Sequence, residues 1–422
     1  MEYIGHKIDF RQYGGIKGNS ICHYLIELIN FILMHQDNKR PTAVLTCMVD
    51  FAKAFNRQDH NILITKLSDM GVPSWLLKIV ISFLSDRKMY MRYKGKTSSA
   101  RNLPGGGPQR TLFGLLINNA GFDNQVNNIG ELITCNKKMN LVNEIHLKYI
   151  DDLTIGEAID LRELRLVSDE DRTLPDNYHA RTGHDFPLES SKVVKQLVNI
   201  KEYANDNKMK INIKKTKVIL FNPSKKIDFD PQIRLEGDTL INVEEIKLLG
   251  LTLRSDMKWT SNTDSMTSKA YKRLWALRRL KSHGADQNDL VEVYSKQIRP
   301  TLEFAVPVWH PGISKGEKND IERVQKSAAK IILQEKYQTY IQALQILNLE
   351  QLSKRRMKIC NKFATKAENH AKFSSWFKLN KRKTITRSKQ PRYCPVLYRT
   401  RRFQKSPLCY LTDLLNTKHL KS

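Results

Sequence analysis

Acidic residues are scarce in this chain. Its 422 residues carry 43 Asp and Glu against 71 Lys and Arg, a formal charge of +28. An excess of that size calls for a polyanionic partner, and nucleic acid is the leading candidate. Cysteine is sparse as well: Cys22, Cys47, Cys135, Cys360, Cys394 and Cys409 lie far apart, without a C-x-x-C pair or a Cys/His spacing. A disulfide framework and a zinc tetrahedron are therefore both disfavoured, and reduced, mostly buried thiols are the better reading. Long apolar runs are missing too. The nearest, Leu76 to Leu84, contains Lys78 and falls well short of the roughly 18 residues a membrane span needs. The opening MEYIGHKIDFRQ has no apolar stretch followed by small residues, so no secretory signal is read; an intracellular site, the nucleus included, is expected.

What is present suffices for a folded protein. Hydrophobic residues make up 40% and aromatics 8%, enough for a buried core, and at about 150 residues per domain the length suits two or three domains. From Pro41 to Asp50 runs PTAVLTCMVD, apolar and β-branched almost throughout, as in a strand covered on both faces. FAKAFNRQDHNILITKLSDMG reads as helical material closing at Gly71, with a second helix from Trp75 to Leu84. MYMRYKGKTSSARNL alternates like a hairpin turning at Lys94 and Gly95. A glycine- and proline-rich loop, LPGGGPQRTLFGLL, precedes HLKYIDDLTIG, where two acids sit between β-prone runs. Residues from Glu157 to Ser190 are polar and read as a surface insertion. A helix from Lys192 to Asn205, a strand TKVILF and an apolar pair EIKLLGLTL follow. From Ser265 the pattern becomes helical, which sets a domain boundary near Trp259. Lys381 to Lys405 holds ten basic residues and no acidic one, a composition expected to be solvated and flexible unless a polyanion orders it.

The paired acids Asp151 and Asp152 pose a geometric question, since neighbouring side chains in a regular strand point to opposite faces. A tight hairpin turn places them at a sheet end. Two carboxylates in a dry site repel unless a cation lies between them, and magnesium suits a site of few carboxylates completed by phosphate oxygens. Asp50, at the end of the apolar strand, completes such a site if that strand lies beside the hairpin. Two ions about 3.5–4 Å apart could then be clamped for phosphoryl transfer. Alone, either acidic motif reads more often as a turn or a helix cap than as a metal site.

In order and company, these residues resemble the reverse transcriptases of non-LTR (LINE-type) retrotransposons. The matching segments are QYGGIKG (Gln12 to Gly18), VDFAKAFN (Val49 to Asn56), GGPQRTLFG (Gly106 to Gly114), KYIDDL (Lys148 to Leu153), INIKKTKVILF (Ile211 to Phe221) and KLLGLTL (Lys247 to Leu253). SKAYKRLWALRRLK and IRPTLEFAVPVWHPG look like the segment that follows the palm in arthropod-type elements. The resemblance covers most of residues 10 to 335 and implies an α+β right-hand polymerase. Residual fingers would occupy residues 1–40, the palm sheet 41–258 (with 157–190 as the insertion), a helical thumb 259–350, and a basic, partly disordered C-terminal region 351–422.

By that likeness Asp50 and Asp151 would ligate two Mg²⁺ ions, with Mn²⁺ as a substitute, and Asp152 and the carbonyl of Phe51 would support them. Phe55 would exclude a ribose 2′-hydroxyl, although a core aromatic on a helix looks the same. Gln109 would brace the incoming nucleotide, and Gly105, Gly106 and Gly107 would let backbone approach it. Lys215 is the candidate for protonating or steering pyrophosphate, with Lys210, Lys214 and Lys217 as solvated neighbours. Lys17 would touch triphosphate. Leu274 and Leu277 share a helical stripe, whereas Lys272 and Arg279 fall together on another face, suited to phosphate contact. The implied partners are an RNA template, a DNA primer and deoxynucleoside triphosphates, without a membrane.

Some features depart from the family. Arg110 stands where its G-x-P-Q-G motif ends in glycine, and the apolar segment after it is short. The match begins partway through the fingers and includes no endonuclease, so a truncated or decaying copy, or an incomplete reading frame, is expected. A nucleic-acid-binding remnant without turnover is the alternative, and a basic helical ribonucleoprotein scaffold over residues 265–422 is a third reading.

Overall fold

The computed structural model describes residues 8–103, 105–107, 143–166, 184–185, 188–224, 227, 229–380 and 391–421. The architecture is α+β, in two compact units: Met1–Tyr24 with Lys39–Val243, and Leu25–Asn38 with Glu244–Ser422. Helix α1 (Ile21–Gln36) straddles that division.

The first unit is built on a sheet of β1 (Thr42–Val49), β2 (Glu144–Tyr149), β3 (Asp152–Asp160), β4 (Lys217–Phe221) and β5 (Ile241–Asn242), in the order β5-β4-β1-β3-β2. Strand β1 is central and every one of its residues is buried, as its unbroken apolar run requires. It pairs antiparallel with β3 from Thr42↔Asp160 to Val49↔Leu153, and antiparallel with β4 on its other side. Helix α5 (Lys192–Asp206) lays Val193, Leu197 and Ile200 on the sheet, in one cluster with Leu45, Cys47 and Ile155.

The start of α5 corrects one expectation. Glu157 was assigned to a surface insertion, yet β3 runs on through Asp160 and Glu157 is buried. Its carboxylate accepts from Lys192 N at 2.8 Å and from the Ser191 hydroxyl. A buried charge is tolerated there because it meets the positive end of a helix. Residues 167–183 of the expected insertion lie outside the described residues.

The helical stretch after β1 also differs from a single rod. It breaks into α2 (Ala54–Arg57) and α3 (His60–Asp69), because Asp59 caps α3 by accepting from Asn61 N and Ile62 N at 2.9 and 3.1 Å. Helix α4 (Ser74–Leu84) then packs Val80 and Leu84 against Leu63 and Leu67 of α3.

The second unit opens with the hairpin β6 (Glu245–Leu248) and β7 (Leu251–Arg254), which turns through Leu249 and Gly250 at φ 47° and 90°. The division therefore falls at Val243/Glu244, ahead of Trp259, and the hairpin belongs with the helices. Helix α6 (Thr260–Ser282) buries Leu274 and Leu277 and leaves Lys272 and Arg279 exposed, as the stripe predicts. Helices α7 (Lys315–Leu333), α8 (Leu352–Glu368) and α9 (Pro407–Lys421) follow.

The expected disordered C-terminal region is largely packed where it is described. Leu411 and Leu415 are buried, Asn416 brackets the Tyr393 backbone with two hydrogen bonds, and Asp37 accepts from the amides of Arg399 and Thr400. The most basic stretch, residues 381–390, lies outside the described residues. Among the described residues no helix is long and apolar enough to cross a membrane.

Gly156 marks the tightest point of the sheet. A Cβ there would lie 2.9 Å from Thr46 Cγ2 and 3.0 Å from Leu45 O. Gly156→Ala is expected to destabilise the chain by about 1–3 kcal/mol through overpacking. Urea denaturation checks this, and an unchanged midpoint would contradict it.

Candidate active site

Strands β2 and β3 are joined by only Ile150 and Asp151, since Tyr149 pairs with Asp152. A two-residue hairpin turn needs positive φ at its first position, and Ile150 supplies it at φ 62°. A β-branched residue is strained in that region. On the neighbouring strand the last pair is Val49↔Leu153, so Asp50 and Asp152 come next on adjacent strands, with Asp151 in the turn. The three sequence-predicted acids thus meet at one end of the sheet.

Both flanks of this arrangement are held. On one side Asp50 N donates to Thr216 Oγ1 at 3.2 Å, Asn212 N donates to Asp50 O at 2.7 Å, and Ala52 N donates to Lys210 O at 2.7 Å. The turn Asn212–Thr216, with Thr216 fully buried, therefore seats Asp50 and the buried Phe51. On the other side Gln12 forms a parallel bridge with Lys148. Its side chain accepts from Ile150 N at 2.9 Å and Gly14 N at 3.0 Å, and its amide donates to Ile150 O at 3.3 Å. A Cβ on Gly14 would fall 2.6 Å from Ile150 N, so only glycine permits this close approach.

Behind the clamp lies a buried charge cluster. Lys148 Nζ and Arg11 Nη2 each lie 2.8 Å from Asp9 Oδ2. Burial pushes the Asp9 carboxyl up, but hydrogen bonds from Arg11 and Lys148 outweigh it and hold the group well below the usual carboxylate range. Sequence reasoning matched the segment from Gln12 to Gly18 without assigning Gln12, Asp9, Lys148 or Thr216 a role. Lys148 shares its strand face with Glu144 and His146, so the alternation of β2 gave no signal.

The remaining candidates are placed as follows. Lys215 is exposed beside Thr216. Lys17 is exposed in a turn between Gly15 and Gly18, both at positive φ. Gly106, at φ 83°, is fixed from three directions: its N–H donates to Gln58 O at 2.9 Å, and its carbonyl accepts from Arg87 Nη1 at 2.8 Å and His60 Nε2 at 2.9 Å. Gly107 follows it, half-buried. Gln109 and Arg110 lie outside the described residues. Phe55 lies in α2, its side chain not among those described. In the second unit Arg279 sits over the Trp275 ring, 5.9 Å from its centroid, and Lys272 is exposed on the same helix.

The electrostatics fit a divalent cation. Burial and the charge of Asp50 raise Asp151 above the usual aspartate range. Burial, then Asp151, then Asp50, push Asp152 up to about 6. Such mutual repulsion is what a cation relieves. Among the described residues no three His, Cys, Asp or Glu side chains close a metal cage by themselves. Magnesium commonly uses one or two carboxylates and takes its other ligands from water and phosphate.

Comparison with known proteins points to one family. A family model described as "Reverse transcriptase (RNA-dependent DNA polymerase)" matches residues 1–253. A probable RNA-directed DNA polymerase from transposon BS of Drosophila melanogaster is 22% identical over 333 residues, or 78% of this chain and 32% of that protein. The retrotransposon resemblance read from the motifs is in line with both. Two solved telomerase structures from Candida tropicalis, one with a fragment of telomeric RNA and one apo, align at TM-score 0.40 and 11% identity, over 99% and 86% of this chain and 51% of each of theirs.

The raised Asp152 sets a pH dependence. Between 3.8 and about 6 the folded chain holds a proton that the unfolded chain releases, so stability falls as pH rises through that window. In divalent-free buffer near pH 7, Asp152→Asn should melt above the parent, with the gap closing below about pH 4. Asp152 keeps part of its surface open to water although its carboxyl is desolvated, and screening there keeps the gap modest. Identical melting near neutrality would refute the repulsion.

Proposed function

Because the chain belongs to the reverse transcriptase (RNA-dependent DNA polymerase) family, we propose that it extends a DNA primer along an RNA template, inside the cell, using deoxynucleoside triphosphates. The observation that carries this reading is the gathering of Asp50, Asp151 and Asp152 at one sheet end, with Asp151 and Asp152 raised by burial and by their neighbours. Two magnesium ions, or manganese in their place, held by Asp50 and Asp151 with Asp152 and the Phe51 carbonyl alongside, would activate the primer 3′-hydroxyl and stabilise the departing oxygen.

The chain's own residues do the positioning. Gln12 and Thr216 fix where the carboxylates stand, so little reorganisation is left for the reaction itself. Gly106 and Gly107 offer backbone that a nucleotide can approach closely. Lys215, next to the threonine that seats Asp50, would meet the charge of leaving pyrophosphate or protonate it, and Lys17 would touch the triphosphate. Gln109 would brace the incoming nucleotide, Phe55 would reject a ribose 2′-hydroxyl, and Lys272 and Arg279 would follow the phosphate backbone.

One sequence feature favours a second reading, binding without turnover: Arg110 puts a long cation where glycine is expected.

Primer extension on an RNA template separates the two. Asp151→Asn should reduce extension by more than about a hundredfold, and chelation of divalent ions should abolish it reversibly. Extension by Asp151→Asn at the parental rate would exclude the proposed mechanism. If the parent binds template without extending, the second reading stands, and Arg110→Gly should then restore synthesis. Gln12→Ala reaches the reaction only through the Ile150 turn; it should lower the extension rate about 10- to 100-fold with template affinity unchanged. A loss of affinity instead would assign Gln12 to binding.

A further inference from the structure

Between α4 and the glycine loop lies a hairpin whose residues are all exposed among the described residues. Lys88–Met89 pairs with Arg101–Asn102, and Arg92–Tyr93 pairs with Lys96–Thr97 around a Lys94-Gly95 turn. Its register shifts by one residue between Met89↔Arg101 and Arg92↔Thr97, a bulge that adds twist. Met91 and Ser98 bridge that bulge: Met91 N donates to Ser98 Oγ and Ser98 N to Met91 O, both at 2.9 Å.

Every residue from Lys88 to Asn102 is exposed. Met89, Tyr90, Met91 and Tyr93 are 58%, 62%, 73% and 69% exposed. An isolated two-stranded hairpin is marginal in water, and large apolar side chains without a core to join point to a partner. Charge decides which partner. From Arg87 to Asn102 there are six basic residues and no acidic one, so a second copy would be repelled and a polyanion attracted.

The aromatic content narrows the choice further. Tyr90 and Tyr93 stand among Arg92, Lys94 and Lys96, and Lys94 Nζ lies 5.6 Å from the Tyr93 ring centroid. Rings that stack on bases, interleaved with cations that meet phosphates, suit a single strand, because a duplex hides its base faces. The foot of the hairpin is also anchored. Leu103 N donates to Arg87 O at 2.8 Å, and Arg87 Nη1 donates to the carbonyl of Gly106.

We propose that the Lys88–Asn102 hairpin is a single-strand-binding arm: Tyr90 and Tyr93 stack on unpaired bases of the RNA template, while Arg92, Lys94 and Lys96 contact its phosphates. The proposal rests on the polymerase reading for the class of its partner. Through Arg87 the arm shares its footing with the loop that carries Gly106, so a strand held on the arm is registered against that loop.

Fluorescence anisotropy with the full chain in its Asp151→Asn form tests this without turnover. Probes are a short unstructured RNA and a duplex of the same length. Tyr90→Ala with Tyr93→Ala should weaken single-strand binding about tenfold or more and leave duplex binding unchanged. Tyr90→Phe with Tyr93→Phe should retain it. Lys94→Gln with Lys96→Gln should flatten the salt dependence by about 1.4 in log–log slope. Photo-crosslinking of thiouridine-labelled RNA should map to Tyr90 or Tyr93. Single-strand affinity unchanged in the alanine pair, with the fold intact by circular dichroism, would overturn the proposal. So would equal losses on single strand and duplex, or a parental dimer that the alanine pair converts to monomer. A chain that binds as expected but does not extend primers contradicts the polymerase reading alone, whereas one that extends yet ignores both tyrosines contradicts the arm alone.

Discussion

Three carboxylates that repel one another are held at a sheet end by backbone with almost no freedom to separate them. The antiparallel register of β1 and β3 sets Asp50 beside Asp152, and the two-residue connection from β2 leaves Asp151 no other place. Burial first, and then the neighbouring carboxylates, raise the proton affinity of Asp151 and Asp152. A site of this kind is poorly satisfied alone and well satisfied by cations carrying phosphate, the physical basis of metal-dependent phosphoryl transfer.

Holding such a site requires support from groups that never meet a substrate. The Ile150 turn is strained, and its amide and carbonyl are both bound by Gln12. Gln12 is carried on a segment fastened by the buried Asp9, Arg11 and Lys148 cluster. Buried ion pairs seldom add much stability over apolar replacements, because desolvation opposes their attraction. Their value in this fold is to specify position: with Lys148 on the edge strand, only a segment bearing Asp9 can dock in this register.

Much of this was legible in the sequence where local rules dominate. The run from Thr42 to Val49 reads as a central strand because both its faces are apolar, and the helix from Lys192 follows a serine cap. Gly95 announces its turn because glycine tolerates positive φ, which it adopts at 79°. The site acids were found because their spacing matched a family pattern, and the structure brings them together. Interactions between distant segments were not legible. Asp59 ended one helix and began another by capping, Glu157 looked like surface until the start of α5 received it, and the clamp from Gln12 depends on a partner 138 positions away.

That long reach limits how the protein can be dissected. A recombinant fragment beginning at β1 would retain all three aspartates and the strands that bear them, yet would lack the strap from Asp9 to Gly14 that fastens the Ile150 turn. Such a minimal version would keep every acid-bearing motif while its connection between β2 and β3 relaxed toward an unstrained shape. Boundaries for expression should therefore be drawn from what braces the turn as well as from what carries charge.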